Sequence, residues 1–253
     1  MRKHIFFFIV IISALEITSS CKSSNSEGTG EKLAVEIPEQ TEDSTSYGSE
    51  ELPEINPYHA LVQKDYILFD SISGDLNGDG LEDYVVMTKG TNPKNWEMNQ
   101  FDSLVDRNRR GIVISLSEGV KSNIVTENLN CFSAENEDGG VYFPPELWFE
   151  IENGKLFVHY AHGRYGYWRY TFRYQDGKMK LIGYDQSDNR GPIVQEFYSY
   201  NFLSRKKLVK DNRNKYSEES GADEDFVETW YDLPKKQLLI LSEIEDFDEL
   251  KFD

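Results

Sequence analysis

The chain has 253 residues and a formal net charge of −18, with 45 acidic against 27 basic side chains. Such an excess of negative charge argues against a nucleic-acid partner, whose phosphates it repels, and against charge-driven adsorption to an anionic leaflet. Two cysteines are too few for a disulfide scaffold, while the roughly 200 residues of the body suffice for one sizeable core. The chain opens with Arg2 and Lys3, runs through the apolar residues 5–12 and reaches small residues at Thr18, Ser19 and Ser20. That is the three-part layout of an export signal, and it is short for a membrane span.

Cys21, directly after those small residues, resembles the lipobox of bacterial lipoproteins, although Thr18 stands where leucine is commonest and Glu16 is an unusual charge. The resemblance implies a signal over residues 1–21, with Cys21 lipidated and anchoring the protein to a membrane. An ordinary secretory signal cut nearby is the alternative. Residues 22–56 follow as an acidic tether of net charge −7, rich in Ser, Glu, Thr and Gly. A segment this poor in large apolar residues buries too little surface to offset its ordering entropy. The expected domain then spans residues 57–253. If Cys21 carries lipid, Cys131 has no intramolecular partner and is expected to be a buried free thiol.

The most specific pattern lies at residues 75–83. Asp75, Asn77, Asp79 and Asp83 occupy positions 1, 3, 5 and 9 of a loop, with Gly80 at position 6. This is the ligand spacing of a calcium loop, to which the carbonyl of Leu81 adds a fifth oxygen. The loop is no EF-hand, because Val86 stands at position 12 where a bidentate Glu is needed. Its flanks, residues 66–69 and 84–88, are aromatic and β-branched runs of strand length. In this form it resembles the calcium-binding loop of FG-GAP and VCBS repeats, D-x-[DN]-x-D-G-x-x-D followed by an apolar strand. One copy is present, so a propeller is not implied. The resemblance implies a structural calcium ion, held at the affinity typical of extracellular sites, on the order of 10⁻⁴–10⁻³ M. A plain Asp/Asn/Gly turn is the competing reading.

The body reads as all-β, a mainly antiparallel meander or sandwich with short helical pieces. Residues 111–116 form one strand; 147–151 and 156–160 flank a turn at Asn153-Gly154, and 167–174 and 179–184 flank another at Asp176-Gly177. Trp168, Tyr170, Phe172 and Tyr174 alternate with Arg169, Thr171 and Arg173, which predicts one packed and one wet face. Residues 193–203, 224–231 and 237–242 are further strand candidates, and 96–109 is the best short-helix candidate. Residues 136–147, with Gly139-Gly140 and Pro144-Pro145, read as a loop. Residues 243–253 are expected to close an edge or form a short helix. The body as a whole is similar to uncharacterised bacterial lipoproteins that carry one such loop ahead of a β domain, a resemblance that brings no activity with it.

Catalytic signals are weak. His159 and His162, three apart on a strand, point to opposite faces and lack a third zinc ligand. No nucleophile elbow, phosphate loop or dinucleotide fingerprint is present. Arg164, Tyr165 and Tyr167 stand out instead, because exposed aromatics with arginine can stack on sugars or anchor a protein. A core face with a tyrosine-rich strand is the plainer reading of the same cluster. The reading that follows is a monomeric lipoprotein of the cell envelope, membrane-anchored on the periplasmic or surface face. It is a binding module for glycan or an envelope protein, stiffened by calcium. A hydrolase of envelope polymers or polysaccharide is the alternative.

Overall fold

The computed structural model describes residues 56–136, 144–216 and 224–252. The expected signal, Cys21 and the tether up to residue 55 lie outside the described residues, as does most of the loop expected at 136–147. Strands β1 (Tyr66–Gly74) and β2 (Asp83–Gly90) lead into a short pair, β3 (Trp96–Met98) and β4 (Leu104–Asp106), then β5 (Arg110–Glu118) and β6 (Lys121–Phe132). The second half contains β7 (Glu146–Glu152), β8 (Lys155–Ala161), β9 (Gly166–Gln175), β10 (Lys178–Arg190), β11 (Ile193–Asn201), β12 (Lys206–Asn212) and β13 (Phe226–Asp232). All pairings are antiparallel, in a four-stranded sheet of order β1-β2-β5-β6, a seven-stranded meander of order β13-β12-β11-β10-β9-β8-β7, and the β3-β4 pair. The all-β antiparallel reading therefore holds. Among the described residues no helix is long and apolar enough to cross a membrane.

The two larger sheets share one core. Val85, Met87, Ile112 and Ile114 from the first meet Phe149, Leu156, Val158, Tyr160, Tyr170 and Phe172 from the second. The middle strands of the first sheet are covered on both sides, since Val86 and Val113 point the other way, onto Leu61 and Tyr58. That double burial is why β2 and β5 read as continuous apolar runs rather than alternating ones. The meander alternates as expected, with Tyr170 and Phe172 buried on β9. Its two predicted turns have left-handed residues at both centres: Asn153 (φ 51°) with Gly154 (φ 67°), and Asp176 (φ 52°) with Gly177 (φ 77°). This is the turn whose twist suits a two-residue hairpin.

Four expectations need correction. Residues 96–109 form no helix but a 3₁₀ turn (Pro93–Asn95) followed by the β3–β4 hairpin. The Asn99 side chain accepts the N–H groups of Phe101 and Ser103, and Asp102 adopts φ 57°. Local side-chain bonds of this kind compete successfully with helix. Residues 237–242 make only a bridge between Ile240 and Lys180 before a 3₁₀ turn (Leu241–Glu243). The chain beyond does not close an edge: Leu241, Ile244 and Phe247 plug the main core, with Leu250 and Phe252 packed against it. Two strands are additional, β6 and β12. The first hides its pattern behind polar residues and two register shifts against β5, the second behind three lysines, an aspartate and an asparagine.

Candidate functional site

The loop between β1 and β2 joins two paired strands, as its flanks predict, with Gly74 opposite Asp83. Gly78 and Gly80 both take φ 82°, a region that costs a residue with a Cβ. The side chains fold inward on the loop's own backbone. Asp75 accepts the N–H groups of Gly78 (2.6 Å) and Gly80 (2.9 Å), one on each carboxylate oxygen. Asn77 accepts from the N–H of Asp79 at 2.9 Å, and Asp79 from that of Leu81 at 2.8 Å. The amide of Asn77 also donates to Asp79 at 2.9 Å. The N–H of Gly80, then that of Gly78, hold the Asp75 carboxyl below the usual carboxylate range.

Asp83 behaves differently. It is wholly buried, and its carboxylate accepts from the N–H of Leu76 (2.8 Å) and, across from β5, the N–H of Ser117 (2.9 Å). Among the described residues no cationic side chain pairs with it. Leu76 is buried beneath the loop as part of the core, whereas the Leu81 side chain is exposed. A Cβ on Gly74 would stand 2.9 Å from Ile151 of β7, so this glycine lets the loop end sit against the second sheet.

As donors, three carboxylates, one amide and one carbonyl form the all-oxygen set that a hard cation takes, and each carboxylate oxygen keeps a lone pair beyond its N–H bond. The structure brings Asp75, Asn77 and Asp79 into one hydrogen-bonded loop. Among the described residues, however, no three His, Cys, Asp or Glu side chains converge closely enough to hold a metal ion. Asp83 is engaged by one N–H of the loop and one of β5.

The second candidate is the outer face of the meander. Cross-strand partners in a sheet share a face. One row runs Trp148, His159, Arg169, Asp185, Ser199, Leu208 and Trp230, one residue from each of the seven strands. At about 4.8 Å between strands it spans on the order of 29 Å, turning with the twist of the sheet. Its ends are exposed tryptophans, Trp148 at 39% and Trp230 at 61%. Its middle is a polar chain: Arg169 donates to Asp185 at 2.6 Å, and the Ser199 hydroxyl donates to the other oxygen of Asp185 at 2.7 Å. The His159 ring stacks on Trp148 at 4.8 Å between centroids and bonds Glu150 at 3.0 Å. Burial lowers the pKa of His159 below its ordinary 6.5, with Glu150 opposing and Arg169 reinforcing the shift.

Tyr167, singled out from the sequence, is exposed on this face, next to Ala161 and Ser187. Arg164 and Tyr165 lie instead on the 3₁₀ turn (Gly163–Tyr165) between β8 and β9, where the guanidinium sits 5.8 Å from the Tyr165 ring. Of the two histidines, His159 is on the face, whereas His162 lies just past the end of β8. Trp148, Trp230, Asp185 and Ser199 escaped the sequence reading. Trp148 was within reach of it, since Leu147, Phe149 and Ile151 point inward on the same strand. Cys131 is the expected buried free thiol, and burial pushes its pKa far above the ordinary value. Comparison with protein-family models, with curated proteins and with solved structures finds no match for this chain.

Proposed function

We propose that the protein is an exported binding module, tethered to the cell envelope through Cys21, that holds extended glycan chains on the outer face of the meander. The observation that carries this reading is the row from Trp148 to Trp230, with aromatic faces at its ends and a hydrogen-bonded Arg169–Asp185–Ser199 chain between them. Sugars present apolar C–H faces and hydroxyls together, and stacking plus charge-assisted hydrogen bonds match both. A row that turns with the sheet suits a flexible polymer better than a flat disc. Retention by immobilised soluble polysaccharides in affinity electrophoresis tests it. Retardation by at least one, lost when Trp148 and Trp230 are both changed to alanine, is the expected result. Failure of every polysaccharide to retard the protein, or retardation indifferent to that double change, overturns it.

The same proposal gives residues 75–83 a structural calcium ion, with Asp75, Asn77, Asp79, the Leu81 carbonyl and Asp83 as its oxygen ligands. Support comes from the donor chemistry and from Asp83, a buried carboxylate with two N–H donors and no cationic side chain. Binding to the folded state alone raises stability by mass action. Millimolar calcium is expected to raise the melting temperature relative to chelator, and Asp79→Ala to abolish the difference. Coincident melts of the unaltered protein would remove calcium from the account and leave the glycan reading standing. Release from membrane fractions by Cys21→Ser is the corresponding test of the anchor.

A further inference from the structure

A pocket of about 190 Å³ opens between the β11–β12 turn and the chain that follows β13, on the side of the meander away from the row of tryptophans. Its floor is Leu181, Tyr200, Phe202 and Phe252, with Leu233 and Leu239 as walls. The rings of Phe202 and Phe252 lie 5.2 Å apart, and those of Tyr200 and Phe252 5.8 Å. The Tyr200 hydroxyl donates to the Phe252 carbonyl at 3.2 Å, so the one polar atom of the floor is already satisfied. The walls are pinned by main-chain bonds: Leu181 N–H to the Leu239 carbonyl (2.9 Å), Leu233 N–H to that of Arg205 (2.9 Å), and Phe202 N–H to that of Ile182 (3.0 Å). The pocket is thus built into the fold.

The charge around it is the reverse of the molecule's. In a chain of net charge −18, Arg205, Lys236 and Lys251 line the mouth, and the Lys207 ammonium sits 4.7 Å from the Tyr200 ring centre. Among the described residues neither Arg205 nor Lys251 forms an ion pair. Asp232, on which Arg205 acts at longer range, is paired with Lys206 at 2.6 Å. Arg205 also adopts φ 55°, an uncommon conformation for a residue with a Cβ, in a turn fixed by Asn201 accepting the N–H groups of Leu203 and Ser204.

We propose that this pocket binds a small organic carboxylate, with an apolar body the size of one aromatic ring seated on the floor and its anion facing Arg205 and Lys251. The size follows from the volume, since a cavity of about 150 Å³ holds a benzene ring. The charge follows from two cations that form no ion pair among the described residues, beside a floor whose polar group is spent. Guanidinium is the side chain best shaped to take a carboxylate. The site is distinct from the outer face and independent of the glycan reading.

Calorimetric titration with 3-phenylpropanoate and with the uncharged 3-phenylpropanol, on the full chain at low salt, tests it. The carboxylate is expected to bind saturably and about tenfold or more tighter than the alcohol, the discrimination of a charge-assisted hydrogen bond. Arg205→Gln with Lys251→Gln, both exposed positions, is expected to erase that preference, and Leu233→Trp to block both ligands. Equal binding of acid and alcohol, no saturable binding of the acid, or a preference that survives the double change would each overturn the proposal. So would binding to phosphatidylglycerol vesicles without binding of the soluble acid, which would assign the cations to a membrane surface.

Discussion

Tyr160 packs its ring against Trp168 at 5.1 Å and lies near Phe132 and Tyr170, yet its buried hydroxyl has no hydrogen-bond partner. A hydroxyl stranded in a core costs its lost hydration, about 1–3 kcal/mol. Tyr160→Phe is therefore expected to raise unfolding stability by about 1 kcal/mol, read from the urea midpoint at constant slope. His159 supplies a pH-dependent counterpart. Its folded pKa lies below the 6.5 of the unfolded chain, so its neutral form stabilises fully above pH 6.5 and that share is lost as pH falls through the depressed value. The urea midpoint should drop less between pH 7.5 and 5 in His159→Gln than in the parent. The sequence places Tyr160 on a strand but does not show its orphaned hydroxyl, because hydrogen-bond satisfaction depends on which strands face one another.

Between β2 and β4, Lys89 is only 6% exposed and bonds both Asp106 (2.8 Å) and Glu135. Burial alone would lower its pKa, but the two carboxylates outweigh burial and raise it, while Lys89 and the Asn108 N–H bring Asp106 down despite its own desolvation. The cluster fixes the chain between the β3–β4 hairpin and the first sheet. Lys89→Met leaves two partly buried acids unpaired and is expected to cost about 3 kcal/mol, measured by denaturant unfolding. Local chemistry made several elements legible beforehand: the Asn-Gly and Asp-Gly turns, the alternation on β9, and the strand flanks of residues 75–83. Elements escaped where that chemistry was masked. In β6, Asn128 bonds the carbonyls of Leu241 and Ile244 more than a hundred residues away, so its polarity serves a contact that no local window contains.

At the scale of the whole molecule, two sheets enclose a core that is completed by neither of them. Phe247 is 1% exposed, lies 4.7 Å from Phe132 and 4.9 Å from Tyr170, and its carbonyl accepts the Tyr170 hydroxyl at 3.1 Å. Phe247→Ala is expected to destabilise the fold by about 3–5 kcal/mol, the range for truncating a core phenylalanine. A loss of less than about 1 kcal/mol in chemical unfolding would show that this chain segment is an accessory. The acidic residues around Phe247 are mostly exposed, although the sequence suggests an edge strand or a short helix there. Leu241, Ile244 and Phe247 turn inward at intervals of three, and Leu250 and Phe252 pack against the core they fill.

That arrangement sets an order of events. Sheet pairing between distant parts of a chain is slow to begin with, and here the hydrophobic interior lacks its stopper until residue 247 has been synthesised. A chain stopped short of Phe247 is therefore expected to lack a closed interior.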